Sequence, residues 1–121
     1  MFPEFAFYDC HSCHHPMDKI RWNAQRAGAG IKPGTLRLQT QNLIVLQAVT
    51  ETFEPAALPE LVNLTGGLIR AGQRDRATVT SAAKALLDWV EKRDVLTRRQ
   101  FSPADVTAMR RTLVKLSLIH I

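Results

Sequence analysis

The chain has 121 residues, of which 45% are hydrophobic and 22% are charged, and its formal net charge is +5. This length suits one domain or a piece of a larger protein, and the hydrophobic fraction excludes a disordered polar chain. The apolar stretches are short and interrupted by polar residues, so we expect no transmembrane helix. The basic residues are scattered and accompany no recognised nucleic-acid motif, so we expect no nucleic-acid binding.

The most informative feature near the N-terminus is the pentapeptide Cys10-His11-Ser12-Cys13-His14, which contains both cysteines of the chain. Two cysteines separated by two residues and followed by a histidine form the attachment signature of a c-type haem. The thiols of Cys10 and Cys13 can add to the two haem vinyl groups, and the His14 imidazole can reach the iron as its proximal ligand. The sequence therefore predicts covalent haem c at Cys10, Cys13 and His14.

Two other interpretations of this motif remain open. Zinc could be bound by the two cysteines together with two of the histidines His11, His14 and His15. Structural zinc sites usually draw their ligand pairs from two separated segments, whereas these candidates are contiguous. A thioredoxin-type dithiol usually follows a strand in a βαβ unit, and no strand pattern precedes Cys10. Haem is the favoured interpretation.

The sixth iron ligand is not evident from the sequence. His15 is too close to His14 to reach the opposite face of the same iron. It is either a ligand of a neighbouring haem or a surface histidine. Met109 is far enough along the chain to return over the distal face, although a methionine at helical spacing is usually a core residue. We expect the sixth ligand to be a histidine outside this chain, or the iron to be five-coordinate.

From Thr40 onward the apolar residues recur at helical spacing and predict four helices. The first begins near Thr40 and stops at Glu54-Pro55, where the second begins. The continuity of the second is weakened by Gly66-Gly67. The predicted apolar positions of these two helices are Leu43, Ile44, Leu46, Val49, Leu58, Leu61, Val62, Leu64, Leu68 and Ile69.

The third and fourth helices have recognisable start signals. Asp75 is a plausible N-cap of the third. Ser102 as cap, Pro103 at the first helical position and Asp105 three residues after the cap predict the start of the fourth. The predicted apolar positions are Val79, Ala82, Ala83, Leu86, Leu87, Trp89, Val90, Val106, Met109, Leu113 and Val114.

We therefore expect an all-α fold, with an N-terminal haem-binding loop followed by a small bundle of about four helices. Residues 1–39 are the predicted attachment segment with its loop, and residues 40–115 the helical bundle. Residues 116–121 resemble translated sequencing-adaptor read-through, so we expect a non-native tail there. Haem c is attached outside the cytoplasm, and Met1–Phe5 lacks the pattern of a signal peptide. We expect the chain to be a fragment of a periplasmic protein.

The segment Tyr8–Met17, followed by Arg21-Trp22 and by the stretch 33–38, resembles the C-terminal part of bacterial multihaem c-type cytochromes. The resemblance covers about residues 7–38, and the later helices are compatible with it. It implies covalent haem, His14 as proximal ligand, a periplasmic location and electron transfer along a chain of haems. Those proteins carry several such motifs, whereas this chain carries one.

The resulting expectation is an electron carrier rather than an enzyme, with other haems or redox proteins as partners and the oligomeric state open. One alternative is the electron-supplying part of a multihaem redox enzyme that acts on small nitrogen or oxygen species. A second, from a different class, is a zinc-stabilised helical interaction domain.

Overall fold

The computed structural model describes Phe7, Tyr8 and residues 38–120, with side chains described as far as Leu116. Within these residues the fold is all-helical, apart from an isolated bridge between Tyr8 and Leu38, which confirms the predicted fold class. The helices are α1 (Gln41–Phe53), α2 (Leu58–Ala71), α3 (Arg76–Glu91), α4 (Asp94–Thr97) and α5 (Pro103–His120), with a 3-10 turn at Pro55–Ala57. The short helix α4 is not among the predicted elements.

The junction between α1 and α2 follows from Pro55. A proline disfavours helical geometry in the residue before it, and Glu54 accordingly leaves the helical region with φ −140° and ψ 57°. The Glu54 N–H still donates to the carbonyl of Thr50 at 2.8 Å, which closes the last turn of α1. Helix α2 then runs unbroken through Gly66-Gly67. It packs against both α1 and α3, and such packing outweighs the weak helix propensity of two glycines.

The predicted N-cap of α3 is confirmed. The Asp75 carboxylate accepts hydrogen bonds from the Thr78 backbone N–H at 2.8 Å and from the Thr78 hydroxyl at 2.9 Å. These bonds satisfy a donor that a helix start leaves without an intrahelical partner. They also lower the pKa of Asp75, with the backbone bond from Thr78 as the main cause.

The predicted start of α5 is confirmed as a reciprocal cap. The Asp105 N–H donates to the Ser102 hydroxyl at 3.1 Å, and the Ser102 N–H donates to the Asp105 carboxylate at 2.9 Å. This second bond is the main reason that the pKa of Asp105 lies below its ordinary value. Arg99 adds an ion pair to the same carboxylate at 3.1 Å. The start of α5 is therefore fixed by its own side chains.

The helices pack as neighbours in a small bundle. Helix α1 packs against α5 and α2, and α2 packs against α3. Leu61, Leu86 and Trp89 form the buried centre, each less than 8% exposed. Partly buried apolar residues surround it, namely Leu43, Leu46, Ala57, Leu64, Leu68, Val90 and Leu96. Leu96 belongs to α4, so this short helix also contributes to the core.

Some predicted apolar positions are more exposed than helical periodicity suggests. Val62, Leu87, Val106 and Val114 have exposed fractions between 51% and 55%. None of the four belongs to the described core cluster or to the apolar residues packed against it. Leu116, the first residue of the predicted tail, is by contrast buried within α5 at 6% exposure.

Arg93 fastens the end of α3 to the junction between α1 and α2. Its guanidinium lies 4.1 Å from the centroid of the Trp89 ring, a cation–π contact. It donates to the carboxylates of Glu54 at 3.1 Å and Glu60 at 3.2 Å. One half-buried cation thus holds the C-terminal end of α3 against the start of α2.

Ser102→Ala removes the hydroxyl that accepts the Asp105 N–H, and we expect the free energy of unfolding to fall by about 1 kcal/mol. Urea unfolding followed by circular dichroism measures the change. Ser81→Ala is the matched control, because Ser81 lies inside α3 and caps no helix. Equal stabilities of the Ser102→Ala variant and the parent chain would contradict the capping role.

Candidate functional site

The predicted haem ligands and attachment residues Cys10, Cys13, His14 and His15 lie outside the described residues. The described structure instead fixes the chain on both sides of them. Tyr8 lies two positions before Cys10, and Leu38 follows residues 9–37. Among the described residues, no group of three or more His, Cys, Asp or Glu side chains is placed to hold a metal ion.

Tyr8 and Leu38 form an antiparallel bridge that joins the two flanks of the motif segment. The Gln39 backbone N–H donates to the carbonyl of Phe7 at 2.7 Å. The Gln39 side-chain amide donates to the carbonyl of Tyr8 at 3.4 Å. The residues that flank the segment 9–37 on its two sides therefore lie next to each other.

This paired segment contacts the bundle at Gly72, directly after α2, and we call the contact between Tyr8, Leu38 and Gly72 the Gly72 joint. The Tyr8 hydroxyl donates to the Gly72 carbonyl at 2.9 Å. Tyr8 is 2% exposed and Leu38 is 8% exposed, so both side chains are buried there. Burial raises the pKa of Tyr8 above its ordinary value, because the phenolate would lose its hydration.

Glycine is required at position 72 because the Leu38 side chain lies very close to it, and not because of the backbone conformation. Its φ of −59° and ψ of −17° are accessible to any residue. A Cβ at this position, however, would lie 2.8 Å from Leu38 Cγ and 2.9 Å from Leu38 Cδ1. Only glycine lets the Leu38 side chain lie directly on the end of α2.

The Gly72 joint is close in sequence to the predicted motif, because Cys10 follows Tyr8 by two positions. Tyr8 is attached to the turn between α2 and α3. Cys10 itself lies outside the described residues.

A groove of about 710 Å³ begins next to this turn and runs between α2 and α3. Two arginines, Arg70 and Arg74, line it near the Gly72 joint. The rest of its lining is small, and includes Gly67, Ala71, Ala77, Ser81 and Ala85. This volume lies within the range of small-molecule and cofactor sites, roughly 300–1,000 Å³.

Met109, the candidate distal ligand within this chain, is half-buried on α5. Helix α5 packs chiefly against α1, whereas the Gly72 joint lies at the end of α2. This placement is typical of a core methionine. The predicted core role of Met109 is consistent with this placement, and no contact of the described residues tests iron ligation by it.

Sequence reasoning missed the Gly72 joint. Tyr8 and Gly72 are 64 positions apart, and no local pattern connects a tyrosine to a distant carbonyl. The available signal was a glycine at the end of a predicted helix, which by itself indicates only a helix terminus. The small residues of the groove were likewise visible in the sequence only as parts of two helices.

A scan against family models, a search of curated proteins and a search of solved structures each gave no match to this chain. None of the helices within residues 38–120 is long and apolar enough to cross a membrane.

Gly72→Ala places a methyl group against Leu38, and we expect it to lower the free energy of unfolding by about 1–3 kcal/mol. Gly67→Ala is the matched control, because no atom lies within 4 Å of its added Cβ. Alanine inside a helix should raise stability there by roughly 0.5–1 kcal/mol. In a Leu38→Ala background, Gly72→Ala should lower the free energy of unfolding by a smaller amount. An equal loss of stability in both backgrounds would contradict the contact between Gly72 and Leu38.

Tyr8→Phe removes the hydrogen bond to Gly72 and should cost about 1 kcal/mol of stability at neutral pH. The folded pKa of Tyr8 lies above the ordinary value of 10.0, so its contribution is complete below that pH. This contribution to stability is then lost as the pH rises through the pKa of Tyr8 in the folded protein. The stability difference between parent and variant, measured by urea unfolding, should therefore narrow at alkaline pH. A difference that stays constant would contradict burial of this hydroxyl.

Proposed function

We propose that this chain carries one haem c, covalently attached at Cys10 and Cys13 with His14 as proximal iron ligand, and that it transfers single electrons. The observation that carries the proposal is the pentapeptide itself, which holds every cysteine of the chain at haem-attachment spacing. When bound, the haem supplies an Fe(III)/Fe(II) couple.

The donor set fits this group chemically. Each thiol adds across one vinyl C=C bond, with sulfur bonding to one carbon and hydrogen to the other. This addition releases no leaving group and needs no net oxidation. A neutral imidazole directly after the second cysteine is a standard proximal ligand. The same thiols and imidazoles would bind zinc, so the metal found in the purified protein decides between the two.

The Gly72 joint supports a role in electron transfer. It attaches both ends of residues 9–37 to a packed helical bundle through a buried tyrosine and a buried leucine. Cys10 follows the attached Tyr8 by two positions, so a haem bound there would be tethered next to a packed part of the chain. Such a tether would favour electron transfer, because its rate depends on a steady distance between donor and acceptor.

We further propose that the chain is part of a periplasmic multihaem cytochrome, with other haems or redox proteins as its partners. His15 would then be a ligand of a neighbouring haem. The support is the resemblance of residues 7–38 to the C-terminal part of such proteins. The net charge of +5 would favour association with an acidic redox partner.

Co-expression of the chain with a c-type haem maturation system should give haem that remains with the protein after acid–acetone extraction. Cys10→Ala together with Cys13→Ala should release all haem into the solvent, because both thioether bonds are lost. His14→Ala should disturb the iron spectrum. Met109→Ala is the matched control for loss of a candidate ligand.

Freely extractable haem in the parent chain would contradict covalent attachment. One equivalent of zinc without a Soret band would favour the zinc-stabilised domain instead. A changed spectrum in the Met109→Ala protein would place its sulfur on the iron and overturn the assignment of the distal ligand to a residue outside the chain.

A further inference from the structure

We propose that the outward side of α5 is a docking surface for an acidic protein. Arg110 and Arg111 would bind carboxylates of that partner, and Val106 and Val114 would contact its apolar side chains. We call these four residues the α5 face. The inference goes beyond the proposed function, because the four residues lie outside the haem-attachment motif and the surface requires no haem.

The four residues lie on one side of α5. Val106, Arg110 and Val114 follow one another at intervals of four positions, so they are neighbours along the helix surface. Arg111 lies beside Arg110, about 100° further round the helix. All four residues are exposed, whereas the opposite side of α5 packs chiefly against α1. The α5 face is therefore accessible to a partner.

The two arginines of the α5 face have no acidic partner of their own. An exposed arginine in a helix often pairs with a carboxylate three or four positions away, as Arg98 does with Asp94. No acidic residue stands three or four positions from Arg110 or Arg111. Within the part of the chain whose side chains are described, neither arginine forms an ion pair. Both guanidinium groups are available to a carboxylate from outside.

The other charged residues of α5 already have partners. Asp105, the single acidic residue of the helix, accepts from the Ser102 N–H and from Arg99. Lys115 pairs with Glu51 of α1 at 3.5 Å. No negative charge of α5 is left to neutralise the α5 face. Its complement is a surface that presents carboxylates, which arginine binds through paired N–H donors.

The apolar part of the α5 face favours a protein over a membrane. A helix that lies on a bilayer inserts large side chains such as Trp, Phe and Leu. The apolar residues of the α5 face are two valines. Protein interfaces combine arginine with apolar contacts that exclude water from the centre. A carboxylate bound at Arg110 would lie between the two valines, and the loss of water there would strengthen the ion pair.

The test uses the full chain and, as the probe, a synthetic helical peptide that carries glutamate and leucine on one side. In amide-resolved NMR spectra the signals of residues 106–114 should shift when the peptide is added, and those of α2 and α3 should stay in place. A peptide with lysine in place of every glutamate should cause no shift. Added salt should weaken the binding, because salt screens exposed charges.

Three variants separate the position of the charges from their number. R110Q/R111Q should weaken peptide binding roughly tenfold or more, because two ion pairs are lost. R70Q/R74Q is the matched control, since it removes the same charge from exposed residues outside α5, and its affinity should stay close to that of the parent. V106T/V114T retains both arginines and should weaken binding by a smaller factor, because only apolar contact is lost. Circular dichroism checks that each variant keeps its helices.

Equal weakening in R110Q/R111Q and R70Q/R74Q would mean that the peptide responds to net charge alone, and would overturn the inference. The absence of binding, or shifts centred outside α5, would overturn it as well. Vesicles of phosphatidylglycerol that bind the chain through Arg110 and Arg111 while the peptide does not would assign the surface to a membrane instead. None of these results affects haem attachment, which acid–acetone extraction tests separately.

Discussion

The Tyr8 hydroxyl donates to the Gly72 carbonyl, 64 positions away in the sequence, and this contact attaches the residue that precedes the motif segment to the bundle. Leu38 lies against the same glycine, so both flanks of residues 9–37 meet at one turn of the bundle. A buried hydroxyl–carbonyl bond is costly to leave unmade, and a side chain added at Gly72 would force Leu38 to shift. The joint therefore holds the two residues that flank the segment 9–37 together at the end of α2.

The bundle is small, and contacts at the helix ends stabilise it together with its buried centre. Within the described residues, Leu61, Leu86 and Trp89 form the buried centre of the bundle. Arg93 joins α3 to the start of α2 through two carboxylates and the Trp89 ring. These contacts of Arg93 hold α2 and α3 together. The Gly72 joint and the groove both lie at that pair of helices.

Local signals in the sequence predicted the helices well, because caps and prolines act within a few residues. Asp75 and Ser102 cap the helices that they were expected to start, and Pro55 ends α1. The short helix α4 has no such signal. The exposure of Val62 and Leu87 depends on which neighbours cover each helix edge, which periodicity does not show. The joint and the groove arise from long-range contacts, so they appear only in three dimensions.

The central proposal is that Cys10 and Cys13 hold a covalently attached haem c. Its most direct test is mass spectrometry of the denatured, protease-digested chain after co-expression with a c-type haem maturation system. The account predicts that the peptide containing residues 10–14 carries the added mass of one haem, bound through both sulfurs. An unmodified peptide with two free thiols, from a protein that contains zinc instead of iron, would contradict it.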